Sequence, residues 1–261
     1  MKRAVTVGIL VLGVLGIAGA IVIGGAFRGR QAITDGFEIG FGTKGMRIVQ
    51  DGFSSVAVLP AGAGEVALVD AGRDDSGAAI LAELSRRGLG PEAVKAILIT
   101  HGHGDHTAGI GVLPNAEVMA LEAEIPLVEG RAPARGLLLR LFPGRATGFQ
   151  VDRALHDGET VTLGETTVQV FAVPGHTGGS AAYLANKVLF LGDSADATTE
   201  GTLRGAVWAF SEDPAQNRAS LVRLHERLME QGAGVEAIAF AHSGVLAKGL
   251  RPLAAFAEEN R

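Results

Sequence analysis

One short stretch, from Thr100 to Thr107, constrains the fold of this chain more than any other. Three histidines and one aspartate fall within six consecutive residues there: His101, His103, Asp105 and His106. They directly follow the apolar run 96–99, which is short and rich in β-branched residues and is therefore predicted to be a buried strand. The cluster then lies at the carboxyl end of a strand, where open α/β sheets place their chemistry.

The side chains of this stretch are of the kinds that bind metal ions. Neutral imidazole and carboxylate are the ligands that zinc and similar metals prefer. Gly102 has no side chain, so the loop can turn tightly enough for His101 and His103 to face one ion while Asp105 and His106 face a second. The alternative is a polar, flexible loop. Because the whole chain has only seven histidines, three in one window favour the metal site.

Four further motifs place candidate site residues at predicted strand ends. They are Asp70 after the strand 65–69, His176 in the sequence Pro-Gly-His-Thr-Gly-Gly-Ser, Asp193 after the strand 188–191, and His242 after the strand 235–240. Together with the first cluster, and in this order over residues 37–261, these motifs resemble those of the metallo-β-lactamase-fold hydrolases. The resemblance implies an α/β fold, a four-layer αββα sandwich with a site for one or two metal ions.

The resemblance also implies a role for each candidate residue. One ion would be held by His101, His103 and His176, and the second by Asp105, His106 and His242, with Asp193 bridging the two. Asp105 would in addition orient the attacking hydroxide as a catalytic residue. Asp70 would support a metal-bound histidine from behind, although a strand-end aspartate in a turn is the plainer interpretation.

A site of this kind predicts a metal-dependent hydrolase. Two zinc ions (Zn2+) stabilise a bridging hydroxide near neutral pH, which can attack a polarised acyl carbon. The motif around His176 resembles the thioesterase and lactonase branches of the family, the glyoxalase II-like and lactonase-like proteins. No basic cluster for glutathione follows Asp193, and residues 194–199 contain no tyrosine. The expected substrate is therefore a small ester, thioester or lactone-like molecule whose identity stays open.

Two alternatives remain at this point. Persulfide dioxygenases share the fold and the first motif but use a single iron ion to activate oxygen, which here would be bound by His101, His176 and Asp193. A non-catalytic metal-binding module is the other alternative. Its usual sign is the loss of ligands, and none is lost here.

The N-terminal segment predicts a membrane anchor. Residues 4–27 form an uninterrupted apolar run with two basic residues on each side. A helix of about 24 residues is long enough to cross a bilayer. A signal peptide is the first alternative and a buried helix the second. We therefore expect a single-pass anchor over 1–30, with the lipid bilayer as partner, and a catalytic domain over 31–261 outside the cytoplasm.

Composition excludes some partners and ligands. The formal net charge of −5 argues against a nucleic-acid partner, which would need a basic face. The chain has no cysteine, so neither a disulfide nor a cysteine metal ligand can form.

The sequence of residues 131–150 allows three interpretations. Four arginines flank a group of leucines there: Arg131, Arg135, Arg140 and Arg145. A surface helix packed on the core, a lid over the site and a patch resting on a membrane surface all fit this pattern. The preceding residues 122–129 are predicted to be helical.

Overall fold

Two β-sheets packed face to face form the centre of the protein, in a computed structural model that describes residues 24–25, 28–39, 45–141 and 148–261. The first sheet contains strands β1 to β7 in sequential order, the second has the order β14-β11-β10-β9-β8, and β12 pairs with β13. The strands are β1 Glu38–Ile39, β2 Met46–Asp51, β3 Ser54–Gly62, β4 Glu65–Val69, β5 Val94–Ile99, β6 Glu117–Leu121, β7 Arg153–Leu155, β8 Thr160–Leu163, β9 Thr166–Ala172, β10 Ala181–Ala185, β11 Val188–Phe190, β12 Ala195–Ala197, β13 Leu203–Gly205 and β14 Ala237–Ala239.

Helices cover the outer faces of both sheets. Their bounds in the described residues are α1 Ala78–Arg86, α2 Gly104–Thr107, α3 Ile125–Val128, α4 Leu137–Leu141, α5 Pro214–Glu230 and α6 Arg251–Glu259. Ile80 and Leu84 of α1 pack on the first sheet. Leu221 of α5 and Leu253 of α6 pack on the second.

Three apolar cores separate these layers. The central core lies between the sheets and includes Met46, Leu98 and Tyr183. The other two lie between each sheet and its helices. Because the side chains on both faces of the inner strands are buried, these strands correspond to short continuous apolar runs in the sequence. The predicted mixed α/β architecture is confirmed, and its layers follow the order αββα.

The fold brings all the predicted ligand motifs to one edge. β4, β5 and β6 run parallel to one another, as do β11 and β14. The chain therefore leaves β4, β5, β9, β11 and β14 on the same side. At this edge Ala181 N donates to Thr100 O over 2.8 Å and Tyr183 Oη donates to Ile99 O over 2.7 Å. These bonds join the two sheets directly beneath the first histidine motif.

The predicted transmembrane run 4–27 lies outside the described residues, except for Gly24 and Gly25. Among the residues described, no helix combines the length and the apolar character needed to span a bilayer. The division at residue 30 stays a prediction. Arg30 itself pairs with Asp196 over 2.6 Å, and Gln31 N donates to Ala197 O, so this part of the chain contacts strand β12.

The loop that carries His176 depends on close approach between backbones. Gly175 has a φ of +134°, and a Cβ at this position would lie 2.2 Å from Asn217 N. Asp213 N donates to Gly175 O over 2.8 Å, and the Asp213 side chain caps α5 by accepting from Ala215 N and Gln216 N. The start of α5 thus holds this loop in place, and only glycine leaves the necessary space.

We expect Gly175→Ala to destabilise the protein by about 3 kcal/mol, because backbone strain and a steric clash add together. Gly232→Ala is the matched control. Gly232 also has a positive φ of +62°, but a Cβ added there would have no other atom within 4 Å. Its substitution should cost about 1 kcal/mol. Denaturant unfolding followed by circular dichroism measures both, and equal losses would contradict the role of the close contact.

Candidate metal centre

Three imidazole nitrogens converge at the end of β5. His101 Nε2 lies 3.0 Å from His103 Nδ1 and 3.2 Å from His176 Nε2, and the last two atoms are 3.1 Å apart. Nitrogens bound tetrahedrally to one zinc ion lie about 3.4 Å apart, given Zn–N bonds of about 2.1 Å. The triangle is therefore close to the size that a single ion requires.

The outer nitrogens of the histidines are held by protein oxygens. His101 Nδ1 lies 3.1 Å from Thr100 Oγ1 and His176 Nδ1 lies 3.3 Å from Ser211 Oγ. His106 Nδ1 lies 2.8 Å from Asp70 Oδ2, and His242 Nδ1 lies 2.7 Å from Phe53 O. Each of these oxygens can accept a hydrogen bond from Nδ1, an arrangement that directs the Nε2 atom into the site. His103 differs, because its Nδ1 faces the cluster.

A second group of ligands lies beside the first. His242 Nε2 is 3.2 Å from Asp105 Oδ2 and 3.1 Å from Asp193 Oδ1, and His106 Nε2 is 3.3 Å from Asp193 Oδ1. The other carboxylate oxygen of Asp193 lies 3.6 Å from His176 Nε2. Asp193 therefore presents one oxygen to each group, as a bridging ligand would. The structure brings together all seven residues that the sequence predicts as ligands.

The two groups differ in charge. Burial lowers the pKa of His103 to about 4, that of His176 to about 3 and that of His101 well below its usual value, so this triangle is uncharged at neutral pH. Burial acts in the same direction on His242, but Asp193 and Asp105 outweigh it and raise the pKa of His242 to about 10. Despite its burial, the pKa of His106 is likewise raised well above its usual value, chiefly by Asp70.

Two inward-facing atoms show that the residues fit a metal ion. His106 Nε2 and Asp193 Oδ1 are buried and form no hydrogen bond, although they lie 3.3 Å apart. Buried polar atoms in native proteins are otherwise satisfied. A cation between these ligands would satisfy both atoms, and the donor set of imidazole and carboxylate suits zinc.

Asp70 lies where the sequence places a supporting carboxylate. It is buried and its φ is +60°. Its oxygens accept from Thr100 N over 2.7 Å, from Thr100 Oγ1 over 2.8 Å and from His106 Nδ1. Asp70 thus fixes the orientation of the His106 ring from behind the site.

Part of the segment 131–150 contributes a wall of the cavity above the site. The cavity has a volume of about 1180 Å³, and Ala132, Pro133, Ala134, Arg135 and Leu139 belong to its lining. Residues 142–147 lie outside the described residues, as do the side chains of Arg140 and Arg145. The described half of this segment therefore lies next to the site rather than away from it.

Glu124 is a functional residue that the sequence did not reveal. It is only 1% exposed, and its carboxylate accepts from Gly102 N over 2.8 Å, from Thr177 Oγ1 over 2.9 Å and from Gly179 N over 2.9 Å. Burial raises its pKa to about 7, although the three donors act in the opposite direction. Glu124 joins the loop of His101 and His103 to the loop of His176.

The close packing around Glu124 explains one glycine of the first motif. A Cβ at Gly102 would lie 2.7 Å from Val128 N and 2.9 Å from Leu127 Cγ. The loop between His101 and His103 therefore rests directly on the short helix α3, whose preceding turn carries Glu124.

We expect Glu124→Gln to weaken zinc binding by roughly ten- to a hundredfold, the usual effect of removing a group that orients ligands. The glutamine side chain would place its own N–H group against one of the three groups that now donate hydrogen bonds to the carboxylate. The matched control is Glu122→Gln in the same turn, since the Glu122 side chain is 74% exposed. Competition with a chromophoric chelator measures the affinity; unchanged affinity in Glu124→Gln would show that the two loops hold together without it.

Comparison with known proteins agrees with this arrangement. Hydroxyacylglutathione hydrolase of Cupriavidus metallidurans is 34% identical over 190 residues, covering 67% of this chain and 56% of that protein. The same enzyme of Cupriavidus taiwanensis is 38% identical over 149 residues, covering 54% of this chain and 48% of that protein. The chain thus spans about half the length of the curated relatives it matches.

Solved structures share the fold. A subclass B3 metallo-beta-lactamase of Bradyrhizobium japonicum superposes with a TM-score of 0.61 at 21% identity, covering 90% of this chain and 93% of the other. A metallo-beta-lactamase family protein from Thermus thermophilus has a TM-score of 0.56 at 26% identity, covering 88% and 79%. The family model of the metallo-beta-lactamase superfamily matches residues 50–239. The chain therefore belongs to the metallo-beta-lactamase superfamily.

Proposed function

We propose that this protein is a hydrolase with two zinc ions that cleaves an ester, thioester or lactone-like substrate. The observation that carries the proposal is the pair of ligand groups that share Asp193. His101, His103 and His176 would hold one ion; Asp105, His106 and His242 would hold the other. Both groups face the same cavity.

Zinc bound at these positions would supply a hydroxide at neutral pH and polarise the carbonyl of the substrate. In the overall reaction the oxygen of water joins the acyl carbon, the bond to the leaving oxygen or sulfur breaks, and the leaving group takes a proton. Asp105 lines the cavity and its pKa lies well below its usual value, because His106 and His242 outweigh the effect of burial. An ionised carboxylate there can accept a hydrogen bond from the attacking water and orient it.

The relatives support acyl transfer to water. The curated proteins matched are named hydroxyacylglutathione hydrolases, a name that describes hydrolysis of an acyl group carried by glutathione. Esters, thioesters and lactones share a carbonyl that loses an oxygen or sulfur leaving group, so one site geometry serves all three. Because one fold supports many chemistries, the substrate class is argued from the site and not from the fold.

Metal content is the first test of this proposal. The full chain, purified without added metal, should contain about two zinc ions by mass spectrometry. His103→Ala and His242→Ala should each lose about one ion, since they belong to different groups. His156→Ala is the control, because the His156 side chain is 66% exposed and lies outside both groups. A single iron ion per chain would instead support oxygen chemistry with a mononuclear site.

Asp105→Asn should lower kcat/KM on a thioester and lactone panel by roughly 10²–10⁴-fold, because the amide cannot accept a proton from water. The measurement needs zinc content alongside activity, so that loss of the ion is distinguished from loss of the carboxylate. Full activity with two ions bound would rule out a catalytic role for Asp105.

We also propose that residues 4–27 tether the enzyme to a membrane, with the catalytic domain outside the cytoplasm. The support is the length of the apolar run and its basic flanks. The full chain should remain in the membrane fraction after a carbonate wash, whereas a chain beginning at Arg28 should not. Release of the full chain by the wash would contradict the tether, and mass spectrometry of its N-terminus would reveal a cleaved signal.

A further inference from the structure

The cavity over the metal centre is larger than a short acyl group requires. It has a volume of about 1180 Å³, above the range of about 300–1000 Å³ that ligand pockets commonly have. Its lining includes His103, Asp105, His176, Asp193 and His242. A substrate bound at the metal centre therefore has considerable space to fill beyond its reacting carbonyl.

One wall of the cavity is apolar. Leu127, Pro133 and Leu139 line it from one segment, and Val207 and Phe210 line it from another. The two segments pack on each other, because a Cβ at Gly136 would lie 3.0 Å from the backbone of Phe210.

The apolar wall begins at the metal ligands themselves. Leu127 contacts the backbone of Gly102, between His101 and His103, so closely that a Cβ at Gly102 would lie 2.9 Å from Leu127 Cγ. A group attached to a carbonyl at the metal centre would therefore lie close to this apolar wall.

Most charged residues of the lining belong to other segments, whereas Arg135 lies in the same segment as Pro133 and Leu139. Arg30 and Asp196 form an ion pair of 2.6 Å, and the guanidinium of Arg73 lies 4.5 Å from the ring centre of Phe53. This part of the cavity suits a polar leaving group. Among the described residues, the whole lining has three arginines against four aspartates, so these side chains give it no net positive charge for a polyanionic substrate.

We infer that the substrate carries a medium-length alkyl chain, such as an octanoyl group, on the acyl side of the bond that is cleaved, with a polar leaving group on the other side. The inference rests on the proposed function and specifies its substrate class. Leu127, Leu139 and Phe210 would remove the methylene groups of the alkyl chain from water. Each buried methylene increases the affinity roughly three- to fourfold.

The test has a catalytic arm and a binding arm, both on the full chain in one nanodisc preparation. The catalytic arm compares kcat/KM for p-nitrophenyl acetate, butyrate, hexanoate and octanoate. The binding arm measures the affinity of acetate, hexanoate and octanoate as free carboxylates by titration calorimetry. We expect octanoate to exceed acetate by at least about a hundredfold in each arm, since six fully buried methylenes would give roughly a thousandfold.

A matched pair of variants separates the cavity from lipid partitioning. Leu139→Asn places an amide in the apolar wall, whereas Leu137→Asn changes a residue of the same helix that is 54% exposed and does not line the cavity. The octanoate-to-acetate ratio should fall at least about fivefold in Leu139→Asn and stay unchanged in Leu137→Asn. An equal effect of both variants would show that the ratio reflects the bilayer and would overturn the inference.

The two arms keep the inference distinct from the proposed function. Hydrolysis of all esters at similar rates, with carboxylate affinity independent of chain length, would overturn the alkyl-chain inference and leave the hydrolase standing. Failure to hydrolyse any of these esters, together with failure on the thioester and lactone panel, would contradict the proposed function. The titration would still decide whether the cavity binds an alkyl chain.

Discussion

Three imidazole nitrogens lie within 3.2 Å of one another in this protein, and lone pairs on nitrogens this close repel one another unless a cation lies among them. The other residues of the site hold these three histidines in position. His101 and His176 are each tied through their outer nitrogen to a hydroxyl group, of Thr100 and Ser211. The energy of folding therefore places the ligands before an ion arrives, which is the condition for tight binding.

The strands that position the candidate ligands belong to both sheets. The first motif follows β5 in one sheet, whereas His176, Asp193 and His242 follow β9, β11 and β14 in the other. A relative shift of the sheets would therefore open the site. The bonds from Tyr183 and Ala181 to the end of β5, and the carboxylate of Glu124 between the two ligand loops, resist that shift. The placement of the candidate ligands thus depends on the packing of the sheets.

Local sequence predicts much of this. Short apolar runs identify the strands, and polar residues after them identify His101, His176, Asp193 and His242, because strand ends in this fold share an edge. Glu124 could not be found this way. Its hydrogen-bond partners lie 22, 53 and 55 residues away in the sequence. The sequence of its own segment predicts an ordinary helix, whereas the segment forms a 3₁₀ turn before α3. Burial and long-range contacts, which local periodicity does not encode, make it functional.

The cavity wall illustrates the same limit. The leucines of 137–139 fit a surface helix, a lid or a membrane patch equally well in the sequence, because each places apolar side chains on one face. Only the contact between Gly136 and Phe210, across more than seventy residues, shows that Leu139 lines the cavity. The chain offers no local signal for that contact.

The charges of the second ligand group explain how proton and metal binding are linked. Asp70, Asp105 and Asp193 surround His106 and His242, and the pKa of both histidines is raised. Two protonated imidazoles carry the same charge as one divalent ion. The carboxylates can therefore be balanced by either two protons or one metal ion, and an ion that bound here would have to displace the protons. The neutral triangle of His101, His103 and His176 has no such competition, because burial already keeps its imidazoles unprotonated. The two halves of one centre should consequently differ in how strongly their metal affinity depends on pH, with Asp193 connecting them.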